Sequence, residues 1–318
     1  MTLVVEKAAL IMSIQDLGRQ GYQRFGMPES GPMDWWAYQC AVRLVGNRPD
    51  CACVEMGFTS STIAVKGDAV LAACGGGYRL FRNDREIPLW MTFFVKRGDC
   101  LQFHKCSGGN WVYLAAFGGI PSSVWMESRS VYPRAGLGRL LVDGDELQLP
   151  PLLESSQLMA GCSIPLKARP AYAHDPVIHV IPGPHFDRFT PSSQAEFWKQ
   201  PFVLLSRIDR MGYRLTGAPL SHNKGADILS QGLQLGQIQV PADGQPIVMM
   251  PDHPTTGGYT SIGTVVQADL PLLAQAEPGQ SEIHFAPITI PKARETLVDI
   301  HEKIKSPFQL QEETWLNL

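Results

Sequence analysis

Four segments of this sequence combine charged side chains with glycine and other small residues, and apolar runs bound each of them. They cover residues 13–34, 127–139, 208–215 and 238–259, which read SIQDLGRQGYQRFGMPESGPMD, ESRSVYPRAGLGR, IDRMGYRL and IQVPADGQPIVMMPDHPTTGGY. Loops that line a polar ligand often have this composition, because charged and amide groups bind the ligand while small residues leave room for it. We therefore expect these segments to carry the functional site.

The stretch PDHPTTGGYTSIGTV, residues 251–265, places two adjacent glycines between threonines and a tyrosine. Adjacent glycines tolerate positive φ and let another backbone approach closely. Gly257 and Gly258 therefore predict either a tight hairpin turn or a place where a ligand lies against the chain. The residues alone leave both interpretations open.

Seven cysteines, all within the first 162 residues, raise the question of a disulfide framework or a metal site. An odd number favours reduced thiols over paired ones. A zinc site could be assembled on paper from Cys51, Cys53, His104 and Cys106, but the chain has no CxxC pair and the two-residue spacings suit alternate positions on strands. We expect buried free thiols and no metal site.

The elements that must position the four segments are mostly short strands ended by Gly, Asp or Pro, such as FFVKRGDCLQFH and RLLVDGDELQL. Their spacing predicts a mainly β protein with few helices and barrel-like or sandwich-like architecture. Two helices are predicted, PMDWWAYQCAVRLVG with Pro32 near its first position and Asp34 in its first turn, and PKARETLVDIHEKI with one apolar face. A proline-rich segment at 150–175 predicts two β-rich lobes, 1–155 and 170–305.

Composition disfavours several classes of partner. The 318 residues carry a net charge of −3, so we expect no basic surface for nucleic acid or anionic lipid. No apolar run approaches the length of a membrane span, and Glu6 and Lys7 interrupt the N-terminus before a signal-peptide core develops, which predicts a cytoplasmic protein. The sequence contains no GxxxxGK[ST], HExxH or GxSxG motif, so a self-contained nucleotide or protease site of a common type is not expected.

The polar segments and their surroundings resemble the family called allophanate hydrolase subunit 2, a carboxyltransferase-like family. It includes the C subunit of 5-oxoprolinase and the antagonist of the sporulation kinase inhibitor. The family elements QDxGRxGY, SGxMD, LVGN, SRS, RMGYRL, QVPxDGQPIV and TTGGY stand here, in the same order, at Gln15–Tyr22, Ser30–Asp34, Leu44–Asn47, Ser128–Ser130, Arg210–Leu215, Gln239–Val248 and Thr255–Tyr259. The resemblance runs from about residue 10 to about residue 300 and implies a single family domain with a cyclophilin-like, β-barrel-rich fold.

The function that the resemblance implies is chemistry at an amide or urea carbonyl. Family members bind a partner called the B subunit and, with the A subunit, open 5-oxoproline to glutamate at the expense of ATP. The resemblance therefore implies the C subunit of an ATP-dependent 5-oxoprolinase, active only in the complex, with ATP and Mg²⁺ at a site shared with the B subunit. Fused relatives form the carboxyltransferase domain of biotin-dependent urea carboxylase, so a biotin-dependent carboxyltransferase component is a weaker alternative, although this chain has no biotin-attachment motif.

The resemblance also implies roles for particular residues, because this chemistry needs donors for a developing oxyanion or phosphoryl oxygen and carboxylates that hold an amide. The catalytic candidates are Arg210, Asp252, Arg129 and Gln239. The candidates for binding substrate or phosphate are Gln15, Asp16, Arg19, Ser30, Asp34, Gln245, Thr255, Thr256, Gly257, Gly258 and Tyr259.

The loop around TTGGY departs from the family pattern. Family members often have a basic residue after this element, where this chain has Thr260 and Ser261, and His253 and Pro254 stand where other residues are common. Such changes fit a diverged substrate, or a paralogue that binds a partner resembling the B subunit without catalysing. A non-catalytic regulatory protein is therefore the main alternative, and it predicts tight partner binding without substrate-dependent ATP hydrolysis.

Overall fold

The computed structural model describes residues 1–152, 159–206, 209–305 and 308–310. The chain divides into two compact units. The first comprises Met1–Arg19, Ser30–Pro170 and His301–Leu318, and the second comprises Gln20–Glu29 and Ala171–Ile300. Residues 20–29, which we call the excursion, therefore belong to the second unit although the chain on both sides of them belongs to the first. The predicted lobes 1–155 and 170–305 place these residues in the first lobe.

The first unit contains two antiparallel sheets and helix α1, which spans Trp35–Leu44. Its strands are β1 (Thr2–Lys7), β2 (Ile11–Gln15), β3 (Cys53–Gly57), β4 (Ser61–Val65), β5 (Ala69–Gly75), β6 (Tyr78–Arg82), β7 (Arg85–Ile87), β8 (Met91–Val95), β9 (Cys100–Lys105), β10 (Trp111–Ala116), β11 (Glu146–Gln148), β12 (Cys162–Ser163) and β22 (Gln309–Leu310). The sheet orders are β11-β1-β4-β9-β6-β7 and β2-β3-β10-β5-β8-β12-β22.

The core of the first unit contains apolar side chains from both sheets. Leu3 and Val5, alternate residues of β1, are fully buried, because successive side chains of a strand point to opposite faces and one face is covered. Strand β5 is buried along its whole length, and α1 packs against it and against β10. The alternation of apolar residues in β1 therefore matches the face of the strand that is buried in this unit.

Helix α1 confirms the predicted helix but corrects its start. The helix begins at Trp35, and Asp34 is its N-cap, whose carboxylate accepts a hydrogen bond from the Ala37 amide at 2.9 Å. Asp34 therefore lies before the first turn and not within it. Its side chain is fully buried and satisfies an amide for which the helix itself offers no acceptor. A residue predicted to bind substrate thus anchors a helix.

The strands of the second unit are β13 (Val177–Pro182), β14 (Phe202–Leu204), β15 (Gly212–Thr216), β16 (Asp227–Gly232), β17 (Gln237–Gln239), β18 (Ile247–Met249), β19 (Thr256–Tyr259), β20 (Ser261–Val265) and β21 (Glu282–Pro287). Seven of them form a closed barrel in the order β13-β20-β17-β18-β15-β14-β21, and β16 and β19 form a separate sheet. The predicted mainly β fold with a barrel is confirmed. The cyclophilin-like classification stays a prediction.

Three further helices are α2 (Pro191–Lys199), α3 (Leu270–Gln275) and α4 (Ile290–Lys305). Helix α4 confirms the predicted C-terminal helix, and Ile300 and Ile304 on its apolar face are buried. Within the described part of the chain, no helix is both long and apolar enough to cross a membrane.

Gly257 and Gly258 lie inside strand β19 and not at a hairpin tip. This strand pairs antiparallel with β16, where Gln231 lies opposite Gly257, and neither glycine has a positive φ. A Cβ atom at position 257 would lie 2.6 Å from Nε2 of Gln239 and 2.8 Å from Cδ1 of Leu233. The prediction of a tight turn is therefore wrong, and Gly257 leaves room for side chains of its own unit.

Two glycines of the first unit provide a matched test of close packing. Gly77 and Gly136 have almost the same φ, +72° and +71°, but a Cβ atom would lie 2.0 Å from the Gly109 carbonyl oxygen at position 77 and would meet nothing within 4 Å at position 136. We expect Gly77→Ala to lower the free energy of unfolding by about 1–3 kcal/mol more than Gly136→Ala, because only the first adds a clash to the cost of positive φ. Urea unfolding measures both, and equal losses would contradict this packing.

Candidate functional site

The structure places the predicted site residues in two groups, one in each unit. Gln15, Asp16, Arg19, Ser30, Asp34 and Arg129 lie in the first unit. Arg210, Gln239, Gln245, Asp252, Thr255, Thr256, Gly257, Gly258 and Tyr259 lie in the second unit. The groups differ in chemistry, because the first is organised by a buried carboxylate and the second by a buried ion pair next to a cavity.

Asp16 is the centre of the group in the first unit. Its carboxylate accepts hydrogen bonds from the amides of Gly18 and Arg129, at 2.9 and 2.6 Å, and from the hydroxyls of Ser128 and Ser130, at 2.6 and 2.7 Å. Three of these donors converge on Oδ1, and the Arg129 amide donates to Oδ2. Asp16 therefore fixes the SRS segment, and the Arg129 side chain projects from a backbone that Asp16 holds.

Arg19 connects the same segment to the SGPMD element. Its fully buried guanidinium donates to the Ser30 hydroxyl at 2.9 Å through Nη1 and to the Ser130 carbonyl through Nη2. The buried side-chain amide of Gln15 donates to the Val131 carbonyl at 3.3 Å. These contacts indicate that Arg19, Ser30 and Gln15 hold loops of the first unit, and a direct role in binding stays a prediction for each.

The Arg129 side chain lines a cavity of about 280 Å³ in the first unit, which we call the arginine cavity. Arg48, Asp50, Cys51, Ala52 and residues 118–121 also line it. The Arg129 Nη1 donates to the Ser122 carbonyl, which orients the guanidinium. Burial raises the pKa of the Cys51 thiol, so the thiol stays protonated at neutral pH. Two guanidinium groups favour a carboxylate or phosphate oxygen in this cavity.

Arg210 and Asp252 form a buried, bidentate ion pair in the second unit. Arg210 Nε lies 2.9 Å from Asp252 Oδ2, and Arg210 Nη2 lies 3.2 Å from Oδ1. The residues are only 8% and 5% exposed, and the Asp252 amide also donates to the Arg210 carbonyl at 2.8 Å. Because Arg210 precedes β15 and Asp252 follows β18, the pair closes one end of the ladder between these strands. The geometry supports a positioning role, while direct catalysis by either residue stays a prediction.

A larger cavity, of about 420 Å³, lies within the second unit, and we call it the glutamine cavity. Its polar lining consists of carboxamides, one carboxylate and one imidazole, and its apolar lining consists of leucine and valine side chains. The lining residues are Gln20, Gln23, Glu29, Leu233, Gln234, Leu235, His253, Val265, Gln267 and Leu270. The excursion of residues 20–29 therefore builds part of the wall.

His253 follows Asp252 directly and is 5% exposed. Its backbone amide donates to the Met250 carbonyl at 2.8 Å, and its Nδ1 lies 2.7 Å from the Pro254 carbonyl oxygen. A carbonyl oxygen can only accept, so Nδ1 carries the hydrogen. Burial lowers the pKa of His253 more than the hydrogen bond to the Pro254 carbonyl and the charges of Glu29 and Asp252 raise it. At neutral pH the ring is therefore neutral, and Nε2 is a hydrogen-bond acceptor.

The remaining candidates of the second unit support its loops. The Gln245 side chain accepts from the Gly217 amide at 2.9 Å and donates to the Gly217 carbonyl at 3.3 Å. The Thr255 carbonyl accepts from the Leu233 amide at 2.9 Å. Gln239 is buried beside Gly257, and its Nε2 has no hydrogen-bond partner among the described residues. The other candidates, Thr256, Gly258 and Tyr259, lie on β19.

Metal-ligating side chains do not converge in the parts of the chain that the structure describes. No group of three or more His, Cys, Asp or Glu residues there could hold a metal ion. All seven cysteines are free, and Cys40, Cys53 and Cys74 are buried. Cys106 is exposed, so the expectation of buried thiols is wrong for that residue. Cys51, Cys53, His104 and Cys106 thus do not assemble a zinc site.

None of the site residues predicted from the sequence lines the glutamine cavity. Gln23 and Glu29 lie in the first polar segment, between the two family elements at Gln15–Tyr22 and Ser30–Asp34. Gln234 and Gln267 also lie outside every matched element. The available signal was His253, which departs from the family pattern next to TTGGY.

Comparisons with known proteins agree with this architecture. A family model described as the carboxyltransferase domain, subdomain A and B, matches residues 25–287. The C subunit of 5-oxoprolinase from Escherichia coli strain K12 is 34% identical over 295 residues, which cover 92% of this chain and 93% of that protein. The protein of the same name from Haemophilus influenzae is 33% identical over 287 residues, which cover 88% of this chain and 89% of that protein.

A solved structure shows the same fold. The crystal structure of the Kluyveromyces lactis urea amidolyase matches with a TM-score of 0.89 and 27% sequence identity. The match covers 95% of this chain but only 20% of that chain. This chain therefore corresponds to about a fifth of that larger protein.

The Arg210–Asp252 pair has an exposed counterpart that provides a control. Lys292 and Glu295 also lie 2.9 Å apart, but their side chains are 63% and 69% exposed. We expect Asp252→Asn to lower the free energy of unfolding by about 3–5 kcal/mol, because it leaves the Arg210 charge buried without its carboxylate. Glu295→Gln should cost at most about 1 kcal/mol, since water screens that pair. Urea unfolding measures the free energy of unfolding of both variants. Equal losses would show that the buried pair does not stabilise the segment that follows β18.

Proposed function

Since this chain belongs to the family of carboxyltransferase domains, subdomain A and B, we propose that it is the C subunit of an ATP-dependent 5-oxoprolinase. In this proposal it opens 5-oxoproline to glutamate together with the A and B subunits and is active only in their complex. The 5-oxoprolinase reaction cleaves a cyclic amide and consumes ATP, so it requires groups that bind an amide and groups that bind charged oxygens. The two cavities of this chain supply both kinds of group in separate places.

The observation that carries the proposal is how much of each relative the similarity spans. It extends over 93% of the C subunit of the Escherichia coli 5-oxoprolinase, but over only 20% of the urea amidolyase structure. The similarity to the first protein thus includes nearly all of its sequence, whereas most of the second protein has no counterpart in the match. The similarity therefore supports the role of the C subunit of 5-oxoprolinase more directly than a role taken from the much larger urea amidolyase.

In this proposal the arginine cavity binds a carboxylate or phosphate oxygen of a reactant. Arg129 is oriented by the Ser122 carbonyl, and Arg48 is exposed and paired with the exposed Asp50 at 2.6 Å. A surface pair of this kind is weak, so a carboxylate or phosphate oxygen can replace Asp50 as the partner of Arg48 at little cost. Two guanidinium forks then stabilise the negative charge.

ATP with Mg²⁺ is the co-reactant that the proposed reaction needs. The guanidinium groups of Arg48 and Arg129 fit phosphate oxygens, whereas the described residues contain no group of three or more metal-ligating side chains. We therefore place ATP at a site that the B subunit completes, with this chain contributing cationic contacts. The metal would neutralise phosphate charge there.

The test is ATP hydrolysis by a mixture of this chain with the A and B subunits of 5-oxoprolinase, with and without 5-oxoproline. We expect hydrolysis that depends on both 5-oxoproline and this chain. Arg48→Gln should lower that activity about tenfold or more, because it removes a charge-assisted contact. Arg139→Gln is the matched control, since Arg139 is also exposed and also pairs with an aspartate, Asp145, at 2.6 Å, but does not line the arginine cavity.

Two results would overturn the proposal. Hydrolysis that needs no contribution from this chain would remove it from the reaction. A stable complex of this chain with the B subunit that shows no 5-oxoproline-dependent hydrolysis would favour the regulatory alternative.

A further inference from the structure

The lining of the glutamine cavity selects against a phosphate and in favour of a neutral polar ligand. None of its lining residues is lysine or arginine, and the single carboxylate is that of Glu29. An anion would therefore meet no cation and one like charge. Carboxamides both donate and accept hydrogen bonds, which makes them suitable partners for another amide. The volume of about 420 Å³ lies within the range of small-molecule sites.

His253 adds an acceptor with a fixed direction. Its Nδ1–H is committed to the Pro254 carbonyl at 2.7 Å, so the neutral ring presents its lone pair at Nε2. Within the described residues, Nε2 has no hydrogen-bond partner, although the residue is only 5% exposed and lines the cavity. An acceptor of this kind gains a hydrogen bond when a ligand N–H reaches it.

Donors for a carbonyl oxygen come from the glutamines. Gln23 donates one amide hydrogen to Glu29, and Gln234 donates one to Thr264 Oγ1 at 3.2 Å. Each side chain has a second amide hydrogen. Leu233 and Leu270 supply apolar surface for the methylene groups of a ring. The cavity therefore offers complements to every part of a small lactam.

We propose that the glutamine cavity binds the neutral amide of a small lactam, with His253 Nε2 accepting the ligand N–H and the cavity carboxamides donating to its carbonyl oxygen. This inference rests on the proposed function only in naming 5-oxoproline as such a lactam. Because the cavity contains no cation, the carboxylate of 5-oxoproline lies outside it and is bound by other groups. His253 is then a specificity-determining residue that distinguishes an N–H from an N-substituted amide.

The direct test uses 2-pyrrolidinone, a lactam without a carboxylate, and the isolated full-length chain at pH 7.5. Binding is followed by protein NMR with the wild type, His253→Phe, and His222→Phe as the matched control. His222 lies in the same unit and burial also lowers its pKa, but it does not line the cavity. We expect saturable binding by the wild type and His222→Phe, and at least tenfold weaker binding by His253→Phe. N-methyl-2-pyrrolidinone, which lacks the N–H, should bind the wild type at least tenfold more weakly.

The pH dependence supplies a second measurement on the wild type. Glu29 and Asp252 are the charged groups that act on His253, and the pKa of this histidine is lowered. The acceptor at Nε2 is therefore present at neutral pH and is lost as the pH falls through the lowered pKa, below the ordinary histidine value of about 6.5. Binding of 2-pyrrolidinone should follow that loss. Gln234→Trp, at an exposed lining residue, should weaken binding by filling the cavity without removing a buried group.

The outcomes separate this inference from the proposed function. Equal binding by folded His253→Phe and wild type, equal binding of the N-methyl lactam, or no saturable binding by the folded wild type would overturn the inference, even if the three-protein mixture hydrolyses ATP in response to 5-oxoproline. Specific lactam binding without such hydrolysis would support the inference and contradict the proposed function.

Discussion

The buried ion pair between Arg210 and Asp252 is the interaction on which the candidate site of the second unit depends. It joins the start of β15 to the end of β18, two barrel strands whose ladder places Gly212 opposite Met249. Buried charges are stable when they are paired and hydrogen-bonded, so the pair restrains the chain after Met249. That segment contains the turn at His253, whose Nδ1 lies against the Pro254 carbonyl. Beside the ion pair, the hydrogen bond from Nδ1 to the Pro254 carbonyl leaves Nε2 for a ligand.

The first unit uses a buried carboxylate in a similar way. Asp16 receives hydrogen bonds from Ser128, Arg129 and Ser130, and the Arg129 side chain extends from that segment into the arginine cavity. In both units a buried acidic residue, Asp16 or Asp252, holds the chain, and a neighbouring residue, Arg129 or His253, lines a cavity. This arrangement is physically reasonable, because a ligand-binding side chain must be positioned by groups that are themselves held by hydrogen bonds. It also explains how a family element can be present while a neighbouring residue, such as His253, departs from the pattern.

Much of the fold could be predicted from the sequence, because alternating strands such as β1 and the apolar face of α4 leave a local pattern. The start of α1 could not be placed correctly, since Pro32 and Asp34 suit the first turn and only the amide of Ala37 identifies Asp34 as the cap. The TTGGY element looked like a turn because glycine marks most turns, whereas here Gly257 makes room for Gln239 and Leu233. The glutamine cavity joins residues 20–29 to residues more than two hundred positions later, and no local pattern encodes such a contact.

The most direct test of the proposed amide site is the tautomer of the His253 ring at neutral pH, measured from the imidazole nitrogen shifts of chain labelled with ¹⁵N-histidine. The His253→Phe spectrum identifies the signal. We expect a neutral ring with the hydrogen on Nδ1 and an unprotonated Nε2, because the Pro254 carbonyl accepts from Nδ1 and burial lowers the pKa. A ring protonated on Nε2, or a charged imidazolium at neutral pH, would contradict the proposed site, because the cavity would then present a donor where the lactam N–H requires an acceptor.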